Sequence, residues 1–170
     1  MNIKIIGAIF VILGCGGFGW KLSAMHKREV RILREFISLL DFMECELQYR
    51  LTPLPDLFRQ AARESKSILS TVFLSVTREL EDQVLPNAEC CVNAVLAKTK
   101  NLPDTLKDAF VSLGSSLGRF DIEGQLKGLE TVRQECRRTL GSLTQNESVR
   151  LRSYQTLGLC AGAALAILFI

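Results

Sequence analysis

The sequence predicts an all-α protein, an antiparallel bundle of about six helices flanked by N- and C-terminal transmembrane helices. Three observations predict it. Both ends of the 170-residue chain carry long stretches without charge. Between them, apolar residues recur three or four positions apart, and no segment alternates with the period of a strand. The division that follows is an N-terminal transmembrane helix over 1–24, a helical bundle over 25–152 and a C-terminal transmembrane helix over 153–170.

The N-terminal helix rests on Ile5 to Trp20, sixteen residues without a charge, which Lys21 and Leu22 extend because a lysine stem can snorkel to the interface. Trp20 sits where an interfacial aromatic belongs. Tyr154 to Ile170 forms a second charge-free run of seventeen residues, near the minimum for spanning hydrocarbon. Lys21, His26, Lys27, Arg28, Arg31 and Arg34 follow the first run, and Arg150 and Arg152 precede the second, whereas only Lys4 lies on the far side. The positive-inside bias therefore places the middle of the chain in the cytoplasm and both ends outside. A rival reading takes Leu22-Ser23-Ala24 for a signal-peptide cleavage site and Ile12-Leu13-Gly14-Cys15 for a loose lipoprotein site. It requires a dense basic cluster to cross the membrane, against that bias.

Along the middle, Leu33, Phe36, Ile37, Leu40, Met43, Leu47 and Leu51 mark one long amphipathic helix over Lys27 to Leu51. Thr52-Pro53-Leu54-Pro55 ends it, since each proline biases its predecessor away from helical geometry. A second helix from Asp56 buries Leu57, Phe58, Ala61 and Ala62, and a third buries Leu69, Val72, Phe73, Val76 and Leu80. Pro86-Asn87 interrupts the pattern before a short fourth helix with Cys91, Ala94 and Val95. The fifth starts near Pro103-Asp104 and buries Leu106, Ala109, Phe110, Leu113 and Leu117. The sixth is capped by Asp121 and carries Ile122, Leu126, Leu129, Cys136, Leu140 and Leu143 at coiled-coil-like steps. With no proline beyond Asp121, it can run into the terminal segment as a rod of about 50 residues and roughly 75 Å, softest at Gly141.

A hydrophobic content of 48% with 23% charged residues excludes a disordered chain, and the length leaves room for one soluble core between the ends. The net charge of +3 is spread among mixed signs, without the basic stripe that nucleic acid requires. Cys15 and Cys160 lie in the apolar ends, and Cys45, Cys90, Cys91 and Cys136 fall on helical patterns, so the six read as reduced thiols. A single histidine, no zinc-type cysteine spacing, no phosphate-cradling loop and no nucleophile elbow point to a protein that is not an enzyme and needs no cofactor or metal. In the terminal segment, Gly158-x-x-x-Gly162-x-x-x-Ala166 has the small-residue spacing of packed membrane helices, which makes Gly158 and Gly162 the candidates for membrane helix packing.

Two motifs remain. Tyr49-x-x-Thr52-Pro53-Leu54-Pro55-Asp56 and Leu113-Gly114-Ser115-Ser116-Leu117-Gly118-Arg119-x-Asp121-x-x-x-Gln125, with the size and both terminal segments, resemble the stage III sporulation protein AB family. The resemblance spans nearly the whole chain. It implies a spore-forming bacterium, the mother-cell membrane around the forespore, and a channel complex joining the two cells. The expected partners are the stage III sporulation protein AA ATPase, the other stage III sporulation A channel proteins and the membrane, with room for a homo-oligomer and no nucleic acid. The soluble part is similar to the cytoplasmic domains of type II secretion platform (F) proteins; where those read Gly-Glu-x-x-Gly, this chain reads Gly114-Ser115-Ser116-Leu117-Gly118. The candidate partner-binding residues are Thr52, Pro53, Leu54, Pro55, Gly114, Leu117, Gly118, Asp121 and Gln125. Their plainest structural reading is a rigid helix break at Thr52–Pro55, a close helix–helix corner at Gly114–Gly118 and a hydrophobic staple at Phe120. Two functions compete: a platform that docks the ATPase, and a static membrane scaffold that recruits channel proteins without it.

Overall fold

The order of helices follows from where the chain can and cannot cap them. The computed structural model describes residues 25–118 and 121–169, with side chains as far as Gln145. Among these the protein is all-helical, with six helices and no strand. Helix α1 covers residues 25–50, α-helical to 45 and then wound as a π-helix over Glu46–Arg50. It is followed by α2 (Leu54–Glu64), α3 (Ile68–Asp82), α4 (Ala88–Lys98), α5 (Asp104–Ser116) and α6 (Ile122–Phe169).

Each boundary has a local cause. Pro55 in the first turn of α2 loses no intrahelical bond, and the Pro53 carbonyl accepts from Leu57 N at 2.9 Å, so the helix starts at Leu54, two residues before the expected Asp56. Ser67 caps α3 by accepting from Leu69 N at 3.2 Å, and Asn87 caps α4 by accepting from Cys90 N at 2.9 Å. Asp121 caps α6, with Oδ1 3.0 Å from Gly124 N and its carbonyl 3.0 Å from Gln125 N. From there α6 continues without a break through Gly141.

The chain divides into two compact units, one of Arg31–Leu140 and one that takes in residues 25–30 and α6 from Gly141 onward. In the first, α2 packs on α3, α3 on α4 and α4 on α5. Ser70 near the start of α3 donates to the Ala62 carbonyl near the end of α2 while Arg59, midway along α2, pairs with Glu81 near the end of α3, and Gly128 near the start of α6 meets Ser116 at the end of α5, so both pairs run antiparallel. The core centres on Phe36, Phe58, Phe73 and Phe110, all fully buried. The Phe73 ring lies 5.1 Å from Phe110, 5.6 Å from Phe58 and 6.2 Å from Phe36, which makes it the hub of the cluster. Arg133 on α6 reaches Asp41 on α1 at 2.8 Å and also pairs with Glu44, clasping the last helix to the first.

All four residues expected in the core from α2 are buried, as are the five from α5. Leu80 on α3 and Ala94 on α4 are only half-buried, while Ala88, Val92 and Leu96 of α4 are buried instead. Two expectations are corrected outright: Leu51 and Ile122 are exposed. Leu51 lies beyond a π-helix whose wider turns put the 3.6-residue period out of phase, and Ile122 sits at the first position of its helix. Helix α1 also buries Ile32 and Leu39, outside the expected stripe, so apolar packing surrounds it on more than one side.

Glu35 on α1 organises the α2–α3 connection. Its Oε1 accepts from Ser65 Oγ at 2.8 Å, Lys66 N at 2.7 Å and Ser67 N at 3.2 Å. Burial pushes the carboxyl upward, but these hydrogen bonds outweigh it and hold the group below its ordinary value of 4.5. A depressed folded pKa gives stability that is fully present above pH 4.5 and lost as pH falls through the lower folded value. Glu35→Ala is expected to cost about 1–2 kcal/mol at neutral pH and progressively less at more acidic pH. Denaturant titrations at a series of pH values check this; a cost that does not shrink in acid would contradict it.

Of the two expected membrane segments, 1–24 lies outside the described residues, as does Phe120; of 153–170 the helical backbone is described to Phe169. Among the described residues, no helix is long and apolar enough to cross a membrane.

Candidate partner-binding site

The end of α1 is held by a buried carboxylate. Glu46 accepts from Arg50 Nη1 at 2.9 Å through Oε1 and from Thr52 Oγ1 at 3.1 Å through Oε2, so both oxygens are satisfied where the π-helix hands over to the prolines. The Thr52 hydroxyl therefore serves the turn. Leu51, between them, has φ 52° and ψ 37°, a left-handed cap that glycine usually supplies and that costs another residue about 1 kcal/mol.

The two motifs, far apart in sequence, meet in space. A Cβ placed on Gly118 would stand 3.3 Å from Leu54 Cδ2 and 3.8 Å from Ala88 Cβ, and its φ of 79° independently favours glycine. One turn back, a Cβ on Gly114 would stand 3.0 Å from Val92 Cγ2 and 3.2 Å from the Glu89 Cα, so α4 and α5 pack at close range there. Ser115 and Ser116 each return a hydrogen bond to the Ser112 carbonyl, at 2.9 and 2.8 Å. The Gly114–Gly118 segment is thus a helix–helix corner, and Leu54 seats the proline break against it.

This placement sorts the sequence candidates. Pro53, Gly118 and Asp121 are exposed, and Thr52, Leu54, Pro55 and Gln125 are half-buried, all accessible at one end of the bundle. Gly114 and Leu117 are buried, Leu117 fully, and act in packing instead of presenting a contact surface. Gly158 and Gly162 lie on the helical backbone of α6, and their packing lies outside the described residues.

The structure adds residues to which the sequence reading gave no place in the site. Gly128 comes so close to α5 that a Cβ there would lie 2.6 Å from Ser116 Cβ; its spacing of four from Gly124 was the available signal. Tyr49, Leu51 and Val84 expose 77%, 60% and 80% of their surface, and Ile122 also stands in solvent. Leu51 precedes Leu54, Val84 precedes Ala88 and Ile122 follows Gly118, so these apolar side chains emerge from the segments that converge at Gly118.

Among the described residues, catalytic features are sparse by comparison. Concavities of 110 Å³ beside α5 and α6 and 160 Å³ beside α1 and α2 fall short of the roughly 300 Å³ at which ligand pockets begin. Cys45, Cys90, Cys91 and Cys136 are free thiols. Burial, with Glu135 adding to it, pushes the Cys136 thiol up to about 11; burial and then Glu79 push Cys91 upward, so neither is a ready nucleophile.

A model of the family described as stage III sporulation protein AB matches residues 4–170. The chain belongs to the stage III sporulation protein AB family. Stage III sporulation protein AB of Bacillus subtilis (strain 168) is 22% identical over 174 residues, covering 99% of each chain. A solved structure of a stage III sporulation protein AB superposes with a TM-score of 0.63 at 22% identity, covering 72% of this chain and 98% of that one. A role in sporulation follows from membership, and the relatives are named for a developmental stage, not for a reaction.

Proposed function

We propose that this family member is a membrane platform component of the channel between mother cell and forespore, needed for forespore development. Its two charge-free ends anchor it in the mother-cell membrane around the forespore, with the bundle toward the cytoplasm. There the end bearing both motifs docks a secretion-type ATPase, the stage III sporulation protein AA ATPase, and other stage III sporulation A channel proteins assemble around it. The secretion F-like character of the bundle belongs to this reading.

The observation that carries it is α6. Its capped start at Asp121 lies beside the exposed Gly118 corner, and the same helix runs unbroken to Phe169 through the C-terminal apolar segment. An α-helix transmits displacement along its axis because each turn is hydrogen-bonded to the next. Movement imposed at the motif end thus has a continuous path toward the membrane.

Thr139→Pro tests this path. Proline removes a backbone bond and clashes with the preceding turn, at a cost of about 3 kcal/mol. In sporulating cells the variant is expected to accumulate and to fractionate with membranes while spore formation falls sharply. Normal spore yield would rule out transmission along α6. The static scaffold is the second reading, favoured by the Gly158 and Gly162 spacing on the same helix. It expects normal spore formation both from Thr139→Pro and from cells whose ATPase binds but cannot hydrolyse ATP.

A further inference from the structure

Three consecutive residues at the end of α1 combine exposed side chains with an irregular backbone. Tyr49 and Leu51 leave 77% and 60% of their surface in solvent, and the side chain of Arg50 between them is 71% exposed. The backbone beneath them is unfavourable in two ways. Glu46–Arg50 adopt a π-helix, a rare winding frequently found at functional sites, and Leu51 occupies a left-handed conformation that suits glycine. A glycine at 51 would remove the strain and the exposed apolar surface together, so folding does not account for leucine there.

We propose that Tyr49, Arg50 and Leu51 form a plug that inserts into an apolar pocket with an acidic rim on the protein docked at this end of the bundle. Tyrosine and arginine are enriched where interfaces concentrate their binding energy, and leucine supplies apolar area that a pocket can desolvate. The guanidinium selects the rim: one of its nitrogens is held by Glu46, and the exposed remainder can pair with a carboxylate from which the flanking Tyr49 and Leu51 exclude water. Glu46, locked by Arg50 and Thr52, keeps the turn formed before the partner arrives, so little ordering is left for binding to accomplish. The plug rests on the platform reading, which makes the pocket part of the ATPase.

The experiment titrates the purified AA ATPase against the full-length chain in detergent micelles. Leu51→Gly is the informative variant because glycine suits the φ of 52°, and its melting temperature is expected to equal or exceed that of the parent. Its affinity is expected to fall by about tenfold or more, because the apolar area that leucine buries in the pocket is lost. Arg50→Gln is expected to flatten the dependence of affinity on salt. A Leu51→Gly chain that binds within about twofold of the parent overturns the plug, as does an unchanged salt dependence for Arg50→Gln. If the parent chain itself fails to bind, the ATPase reading falls and spore yield decides the plug separately. Leu51→Gly protein that accumulates normally yet lowers spore yield about tenfold or more upholds a plug for another partner, and parental yield overturns it.

Discussion

Phe73→Ala is expected to destabilise the bundle by about 3–5 kcal/mol. The ring is fully buried and packs against three other phenylalanines, which come from α1, α2 and α5. Its loss opens a cavity where α1, α2, α3 and α5 meet. The neighbouring rings cannot collapse into it without leaving their own packing, so the cavity cost adds to the lost burial. Phe73→Leu should lose less, because most of the volume is retained. Leu74→Ala, one residue on at a 40% exposed position, is expected to change stability by no more than about 0.5 kcal/mol. Chemical denaturation of the full-length chain in micelles measures all three. Equal losses for Phe73→Ala and Leu74→Ala would mean that the aromatic cluster is not the centre of the core.

Gly128→Val is expected to cost about 2–3 kcal/mol, despite the general preference of helix interiors for valine over glycine. A Cβ at this position would sit 2.6 Å from Ser116 Cβ, far inside contact distance, and both atoms are too close to their backbones to move aside. Helices α5 and α6 must separate. Since Ser116 ends α5 and Leu117 follows it into the core, the Gly114–Gly118 corner moves with them, and the effect reaches the docking end. Ser116→Gly should recover a large part of the loss in the Gly128→Val background, because it removes the opposing Cβ. A double-mutant cycle reads this coupling directly. If the two substitutions merely add, the close approach of α5 and α6 is not what glycine provides.

The elements themselves were legible because their causes are local. The Asp121 cap, the proline starts of α2 and α5 and the buried stripes of α2 and α5 follow from residues within a few positions of one another. Legibility failed where one local rule hid another. The apolar stripe of α1 continues to Leu51 on paper, but the π-helix over Glu46–Arg50 changes the number of residues per turn and turns Leu51 outward. Within the candidate site, the sequence marked Leu54 and Gly118 as members of separate motifs and could not show that they touch. It also placed Gly114 and Leu117 among contact residues, whereas burial assigns them to packing.

The amino-acid sequence by itself determined that this is a helical chain of the stage III sporulation protein AB family, how its helices begin, and that its last helix has no internal proline to stop it. Those properties depend on hydrophobic period, capping and backbone constraint, all of which act over a few residues. Only the tertiary structure decided that Thr52–Pro55 and Gly114–Gly118 form one end of the bundle, that Gly128 is required for α5 and α6 to meet, and that Tyr49 and Leu51 are left in solvent. The reason is that such relations depend on how whole helices cross and interlock, and residues distant along the chain become neighbours only once their side chains have packed.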